Sequence, residues 1–327
     1  MTPDTGLAKS MTEDTNIYLS IVAPLFNEED SAAELLSSIL RVSSSFQFPY
    51  EIIFIDDGST DRTWPVIESL KEETPQLKAI KFRRNFGQTS AMVAGFDHAE
   101  GKIIVTMDGD LQNDPSDIPL LIQKIEEGSD IVSGWRKYRK DHFSRVLPSK
   151  VANMIISYTT GVHLHDYGCS LKAYRAECIK NLKAYGEMHR FFPALASMTG
   201  ARVTEVPVNH FARKFGKSKY GFDRIFKVFN DIFAMNLIIR FSSMPLKGFA
   251  VCAIPFFLLT IFFGVLSVVA FISKWTAGKA LFFAISSVLS GMAVVHLVVL
   301  GILAELIVNT SDLSHTRLPE ITKQKIL

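Results

Sequence analysis

Short apolar runs alternate with stretches of helical periodicity through the first half of the chain. Ile17 to Pro24, "IYLSIVAP", predicts a strand, and after the polar Asn27 to Asp30 the pattern predicts a helix to about Ser44. Tyr50 to Ile55, "YEIIFI", predicts a second strand ending at Asp56, and Asp61 to Glu73 a helix. Leu77 to Phe82 is a third strand, Thr89 to Ala99 a helix, and Lys102 to Met107, "KIIVTM", a fourth strand. Such alternation predicts an α/β domain with a mostly parallel sheet and helices on both faces. Ligands of such sheets bind beyond the carboxyl ends of the strands.

The pattern changes after Met244. Gly248 to Ile272 is 25 residues without a charge, and Ala280 to Ala304 is 25 more in which His296 is the polar interruption. About 20 helical residues cross a bilayer core, so each run is long enough to span. Seven residues, Ser273 to Lys279, separate them, which predicts a transmembrane hairpin with both ends on one side. Arg213, Lys214, Lys217, Lys219, Arg224, Lys227, Arg240 and Lys247 precede the first span, and Arg317, Lys323 and Lys325 follow the second. Lys274 and Lys279 alone lie between the spans, so the large N-terminal domain is expected in the cytoplasm. His296 and Glu305 are expected to serve helix packing or the membrane interface. Phe222 to Phe241, "FDRIFKVFNDIFAMNLIIRF", has apolar residues at helical spacing with Arg224, Lys227, Asn230 and Asp231 on other faces. An amphipathic helix in the headgroup layer fits this pattern, as does a helix packed on the soluble domain.

These boundaries divide the chain into a polar lead-in at 1–16, a soluble domain at 17–221, an interfacial helix at 222–244, the hairpin at 245–308 and a tail at 309–327. The lead-in lacks the apolar centre of a signal peptide. A net charge of +2 makes no case for nucleic acid. Cys169, Cys178 and Cys252 are too far apart in sequence to suggest a disulfide framework or a zinc site, which points to a reducing compartment.

Two acidic motifs follow predicted strands. "DDGSTD", Asp56 to Asp61, offers carboxylates for ribose hydroxyls or a base N–H, although the same residues suit a helix-capping turn. "DGDLQ", Asp108 to Gln112, sets two carboxylates at i and i+2, which can flank one hard divalent cation, with the Gln112 amide oxygen as a further ligand. Mg²⁺ or Mn²⁺ suits such oxygen ligands and would stabilise a departing diphosphate. No GxxxxGK[ST] loop occurs, and no GxGxxG follows the first strand, which argues against an ATPase or a dinucleotide enzyme.

With these motifs in register the chain resembles the family 2 glycosyltransferases of the GT-A fold. It is most similar to their polyprenyl-phosphate sugar transferases, the dolichol-phosphate mannose synthases and bacterial bactoprenol glucosyltransferases. The resemblance rests on "APLFNEE" (Ala23 to Glu29), "DDGSTDRT" (Asp56 to Thr63), "RNFGQTSAMVAGFDHAEG" (Arg84 to Gly101), "DGDLQNDP" (Asp108 to Pro115) and "RKFGKSKYG" (Arg213 to Gly221). It implies that Pro24, Phe26 and Glu28 hold the nucleoside, Phe26 standing where many relatives have Tyr, with Ile55 and Asp57 as a second contact beside Asp56. It assigns Asp108, Asp110 and Gln112 to the metal and diphosphate, with Gly109 in place of the more usual Ala. Arg136 would lie over the donor, and Arg213 and Lys219 would bind its phosphates; a basic patch for anionic lipids is the other reading of that loop. Asp166 falls where relatives place a catalytic carboxylate. "EMHRFF", Glu187 to Phe192, is expected to open a helix facing the acceptor, with Arg190 on the lipid phosphate.

The resemblance thus implies inverting transfer of a single sugar from a nucleotide sugar to polyprenyl phosphate, on a multi-pass protein of the inner membrane. The absence of Q-x-x-R-W argues against a polymerase. UDP-glucose is the expected donor, with GDP-mannose or a modified sugar such as aminoarabinose as alternatives. A scaffold with a degenerate transferase domain and a lipid flippase are the competing classes. The intact carboxylates oppose the first and two helices per chain oppose the second, although short hairpins often associate into homo-oligomers.

Overall fold

The computed structural model describes residues 17–137, 153–154, 156–157, 160–180, 186, 188–197, 200–212, 214 and 245–310. The chain divides into two compact units, Met1–Val228 and Phe229–Leu327. The lead-in at 1–16, the helix expected at 222–244, the residues Arg213 and Lys219, and the tail beyond 310 lie outside the described residues.

The first unit is built on β1 (Leu19–Leu25), β2 (Tyr50–Asp56), β3 (Leu77–Lys81), β4 (Ile103–Thr106), β5 (Ile131–Trp135), β6 (Lys172–Arg175) and β7 (Val203–Pro207). They form one sheet in the order β3-β2-β1-β4-β6-β5-β7. β1, β2, β3 and β4 pair in parallel, β5 pairs in parallel with β7, and β6 runs antiparallel between β4 and β5. The mostly parallel sheet is therefore as the sequence predicts, with one inverted strand.

Strand periodicity sorts the core onto two faces. Leu19, Ile21, Ala23 and Leu25 of β1, with Ile52 and Phe54 of β2, bury against α1 (Ala32–Ser43), α2 (Thr63–Glu73) and α4 (Ile118–Glu126). Val22, Ile53 and Ile55 face the other way, onto Ala91, Met92 and Phe96 of α3 (Gln88–His98). Ile179 of α5 (Ala176–Ile179) and Phe192 and Ala196 of α6 (Phe192–Ser197) complete that side. The helix expected from "EMHRFF" begins instead as a 3-10 turn at Met188–Phe191.

The direction of the chain reverses at β1. β2 and β3 extend the sheet on one side of it and β4 on the other. The carboxyl ends of β1 and β4 therefore flank the crevice in which open α/β sheets bind ligands.

The second unit contains α7 (Pro245–Ile272) and α8 (Ala277–Thr310). Both are long and apolar enough to cross a bilayer, and only 6% of each best span window is buried. A core helix of a soluble domain would be covered. α8 begins earlier than expected, so the turn shortens from seven residues to Ser273–Thr276. The Ser287 hydroxyl donates to the Thr260 carbonyl (2.9 Å) and that of Ser267 to Ala280 (3.2 Å), tying the helices together. A Glu305 carboxylate oxygen accepts the backbone N–H of Leu246 (3.2 Å). It satisfies one amide that the first turn of α7 leaves without an intrahelical partner.

Candidate active site

The crevice is assembled by loops that bind one another. Beyond β1, Asn27 adopts a left-handed conformation (φ 51°), receives Thr60 N–H on its side-chain oxygen (2.8 Å) and donates its own N–H to the Ser59 hydroxyl (2.9 Å). Glu28 N–H donates to the Thr63 hydroxyl (2.8 Å), and the Glu28 carboxylate accepts from Ser31 (2.7 Å). Both predicted nucleoside loops are thus one unit, with Pro24 beside Ile55 and Leu25 beside Asp56 in the ladder. The Ile55 side chain lies wholly inside the core, so any contact it makes with a ligand must come from its backbone.

The adjacent aspartates differ in what they hold. One Asp56 oxygen accepts Ser59 N–H (3.0 Å), while Oδ2 is fully buried with no hydrogen-bond partner among the described residues. A buried carboxylate oxygen left this way is costly, and a ribose hydroxyl or base N–H would satisfy it. Asp57 accepts the backbone amides of Phe86 (2.7 Å) and Gly87 (2.9 Å), so it holds the loop ahead of α3. Burial raises its pKa and those two amides oppose the rise. Gly58, at φ +69°, lets that loop approach: a Cβ there would lie 2.2 Å from the Arg84 carbonyl carbon. Gly58→Ala is therefore expected to destabilise the protein by about 2 kcal/mol or more, a loss that denaturant titration of the full chain would read.

At the end of β4, Asp108 Oδ1 accepts the Gln88 amide (2.7 Å), and Asp108 N–H donates to Asn113 (2.9 Å). Asp110 is 8% exposed and accepts Gln112 N–H (3.2 Å). Leu111 between them takes φ +62°, a strained conformation for a branched residue. Gly109 answers a packing demand, since a Cβ there would fall 2.3 Å from Leu25 Cδ2. Gln112 spends its amide N–H₂ on the Phe211 carbonyl (3.3 Å), which leaves its amide oxygen as the donor atom suited to a cation. Among the described residues no group of three or more His, Cys, Asp or Glu gathers to hold a metal. Asp108 and Asp110, with the Gln112 amide oxygen, therefore fit a cation whose remaining ligands are oxygens from outside the protein, the mode suited to Mg²⁺ or Mn²⁺ on a diphosphate.

The Asp108 pKa is raised, first by burial and then by Asp110. Between the ordinary carboxylate range and the raised value, the folded state holds a proton the unfolded chain has lost. Stability of the metal-free protein should therefore fall as pH rises through that window. A cation reverses the preference. Thermal melts should show Mn²⁺ stabilising the protein at pH 7 and progressively less as pH falls toward 5.

Arg136 and Asp166, predicted apart over donor and acceptor, form one pair: Nε to Oδ2 is 2.7 Å and an Nη to Oδ1 is 3.0 Å. Burial opposes the Arg136 charge, yet the Asp166 hydrogen bonds hold its pKa above the ordinary value. Glu205 on β7 anchors the loop from the other side, accepting His165 N–H (2.8 Å) and its imidazole, which stacks on Trp135 at 4.3 Å. Arg190 lies in the 3-10 turn beside His189, whose ring meets the Thr89 hydroxyl (2.9 Å) one residue from Gln88.

Residues 209–212 run beside the loop after Asp110. Phe211 N–H donates to the Gln112 carbonyl (2.9 Å), His210 bridges Asn113, and Asn209 N–H donates to Asp117 (2.7 Å). Lys214 pairs with Glu34.

Gln88, Asn113 and Lys172 join this site without having been singled out from the sequence. Gln88 and Asn113 fall inside the quoted motifs, where their spacing to a carboxylate was the available signal. Lys172 gave none, because a lysine in a short mixed run reads as surface.

Glycosyl transferase family 2 matches residues 20–183. The chain is 46% identical over 237 residues to dodecaprenyl-phosphate galacturonate synthase of Rhizobium johnstonii, covering 70% of each chain. It is 38% identical over 288 residues to undecaprenyl-phosphate 4-deoxy-4-formamido-L-arabinose transferase of Klebsiella pneumoniae strain 342, covering 86% of each. In fold it resembles Mycobacterium tuberculosis glucosyl-3-phosphoglycerate synthase, solved with Mn²⁺, UDP and phosphoglyceric acid (TM-score 0.53, 18% identity, 68% of this chain and 78% of that one). Mannosyl-3-phosphoglycerate synthase of Rubrobacter xylanophilus is also similar (TM-score 0.55, 13% identity, 68% and 75%).

Proposed function

Because this chain belongs to glycosyl transferase family 2 and is a glycosyltransferase, we propose that it moves one sugar from a nucleotide-sugar donor to a polyprenyl phosphate at the cytoplasmic face of a membrane. The observation that carries the acceptor is the 46% and 38% identity to relatives named for dodecaprenyl and undecaprenyl phosphate, in a chain that also has two span-length apolar helices. The sugars in those names, galacturonate and a formamido-arabinose, differ from each other and from glucose. The donor we propose is therefore a nucleotide linked to a modified sugar, most simply through UDP, and not UDP-glucose.

Asp56 takes the ribose or base on its unpartnered oxygen, with Pro24, Phe26 and Glu28 lining the same side. Asp108 and Asp110 hold Mg²⁺ or Mn²⁺, which when bound supplies positive charge to the departing diphosphate. Phe211 donates to the Gln112 carbonyl, and Arg213 and Lys219, which follow it in sequence, are the cations proposed for the donor phosphates. The acceptor phosphate has a second pKa of about 6, so it is largely dianionic at neutral pH and needs little help from a base. Asp166 accordingly orients Arg136 toward that phosphate, with Arg190 as a second cation. The acceptor oxygen attacks C1 as the bond from C1 to the diphosphate oxygen breaks, inverting the anomeric centre.

A radiolabelled panel of UDP-galacturonate, UDP-4-deoxy-4-formamido-L-arabinose, UDP-glucose and GDP-mannose, read by lipid extraction, tests the donor. Label from one of the first two should enter the lipid fraction. Preferential incorporation of glucose or mannose would overturn the choice.

The topology has its own test. A Cys placed at Thr276 in the turn should react with an impermeant maleimide in intact cells, whereas one at Ser311 should not. The opposite pattern would put the catalytic domain on the wrong side.

A further inference from the structure

β6 runs antiparallel to its neighbours, which brings its first residue to the catalytic end of the sheet. Lys172 is level with Thr106 of β4 and Ser133 of β5, and Asp108 follows Thr106 by two residues. The lysine is 3% exposed, far below what an unpaired surface cation would show. Its ammonium donates to the backbone carbonyls of Tyr167 (3.2 Å) and Cys169, both in the loop that carries Asp166. Asp166 in turn holds Arg136 through two hydrogen bonds.

Burying an ammonium is expensive unless nearby charge and acceptors repay it. Burial lowers the Lys172 pKa to about 8, with the nearby Asp166 and Asp108 carboxylates opposing the fall and Arg136 adding to it. It is therefore mostly protonated at pH 7. Asp108, Asp110 and Asp166 bring three carboxylates to this end of the sheet. The Arg136 guanidinium is committed to Asp166. Lys172 is thus a second fixed cation whose field reaches Asp108.

We propose that Lys172 is a positioning residue for sugar transfer: its ammonium ties down the Asp166 loop and acts as an internal counter-charge to the Asp108–Asp110 pair. This rests on the reading of that pair as the cation site. A simple structural tie would act through the fold and weaken every ligand alike. A fixed charge acts by sign, repelling a second cation and attracting the anionic donor.

The test uses the full-length chain in detergent at pH 7 with Lys172→Gln, Lys172→Met and Lys172→Arg. Mn²⁺ binding is followed by electron paramagnetic resonance, UDP binding by calorimetry, and melting and turnover alongside. The neutral variants should bind Mn²⁺ several-fold to about thirtyfold tighter, bind metal-free UDP more weakly, and lose about tenfold or more in kcat. Lys172→Arg should move all three back toward wild type. Neutral variants that bind Mn²⁺ no tighter than wild type, or that keep full kcat, would overturn the proposal. So would failure of both neutral variants to fold, since that marks a stability residue. If wild-type protein binds no Mn²⁺, the cation-site reading fails instead, and UDP affinity and arginine rescue of kcat still decide the role of Lys172.

Discussion

Asp110→Asn is expected to lower turnover by about three orders of magnitude with little change in melting temperature. The side chain is nearly buried, and the hydrogen bond it accepts from Gln112 N–H can still be accepted by an amide oxygen. Shape and that hydrogen bond therefore survive the substitution, and what is lost is one of the two negative charges that would hold the cation. Relief of the repulsion from Asp108 should offset any small packing cost. Excess EDTA should abolish wild-type activity, and added Mn²⁺ or Mg²⁺ should restore it. A variant with near-normal turnover, or a wild type active in EDTA, would remove the cation from the account.

The second large effect belongs to Arg136. Arg136→Ala leaves Asp166 buried without its guanidinium, a change expected to cost about 3–5 kcal/mol of stability along with activity. Adding Asp166→Asn should recover much of the stability, because the uncompensated charge is gone, but none of the turnover. Arg136→Lys keeps the charge but cannot reproduce the two-pronged contact, and a loss of about a hundredfold in kcat is expected. Denaturant midpoints and kcat for wild type, Arg136→Ala, Asp166→Asn and the double variant form a double-mutant cycle. Simple additivity of the stability losses would show that the pair does not act as one unit.

Much of this was legible from sequence because the elements around the crevice obey simple periodicities. β1 to β4 are short apolar runs between polar turns, and their alternation gave the parallel half of the sheet. β5, β6 and β7 were not anticipated. β5 contains Ser133 and Gly134, and β6 is four residues long and begins with Lys172, so neither carries an apolar run. Their pairing is set by neighbours far away in sequence. Asp108 and Asp110 could be read as a site because they follow a strand. The Arg136–Asp166 pair could not, since the residues lie 30 apart and pair only once β5 and β6 lie side by side. Asp57 was legible as part of a motif, but its task of holding the Phe86 and Gly87 amides depends on Gly58 letting the Arg84 loop approach. The span helices were the easiest to read, because length and lack of charge are sufficient signals.

The most direct measurement combines the purified full-length chain with undecaprenyl phosphate, a UDP-linked modified sugar and Mn²⁺, followed by mass spectrometry of the extracted lipid. The account predicts one new species, the lipid phosphate carrying a single sugar in a phosphodiester, formed in step with released UDP and absent with Asp110→Asn. Release of UDP with only free sugar, or a lipid carrying a growing chain of sugars, would contradict it.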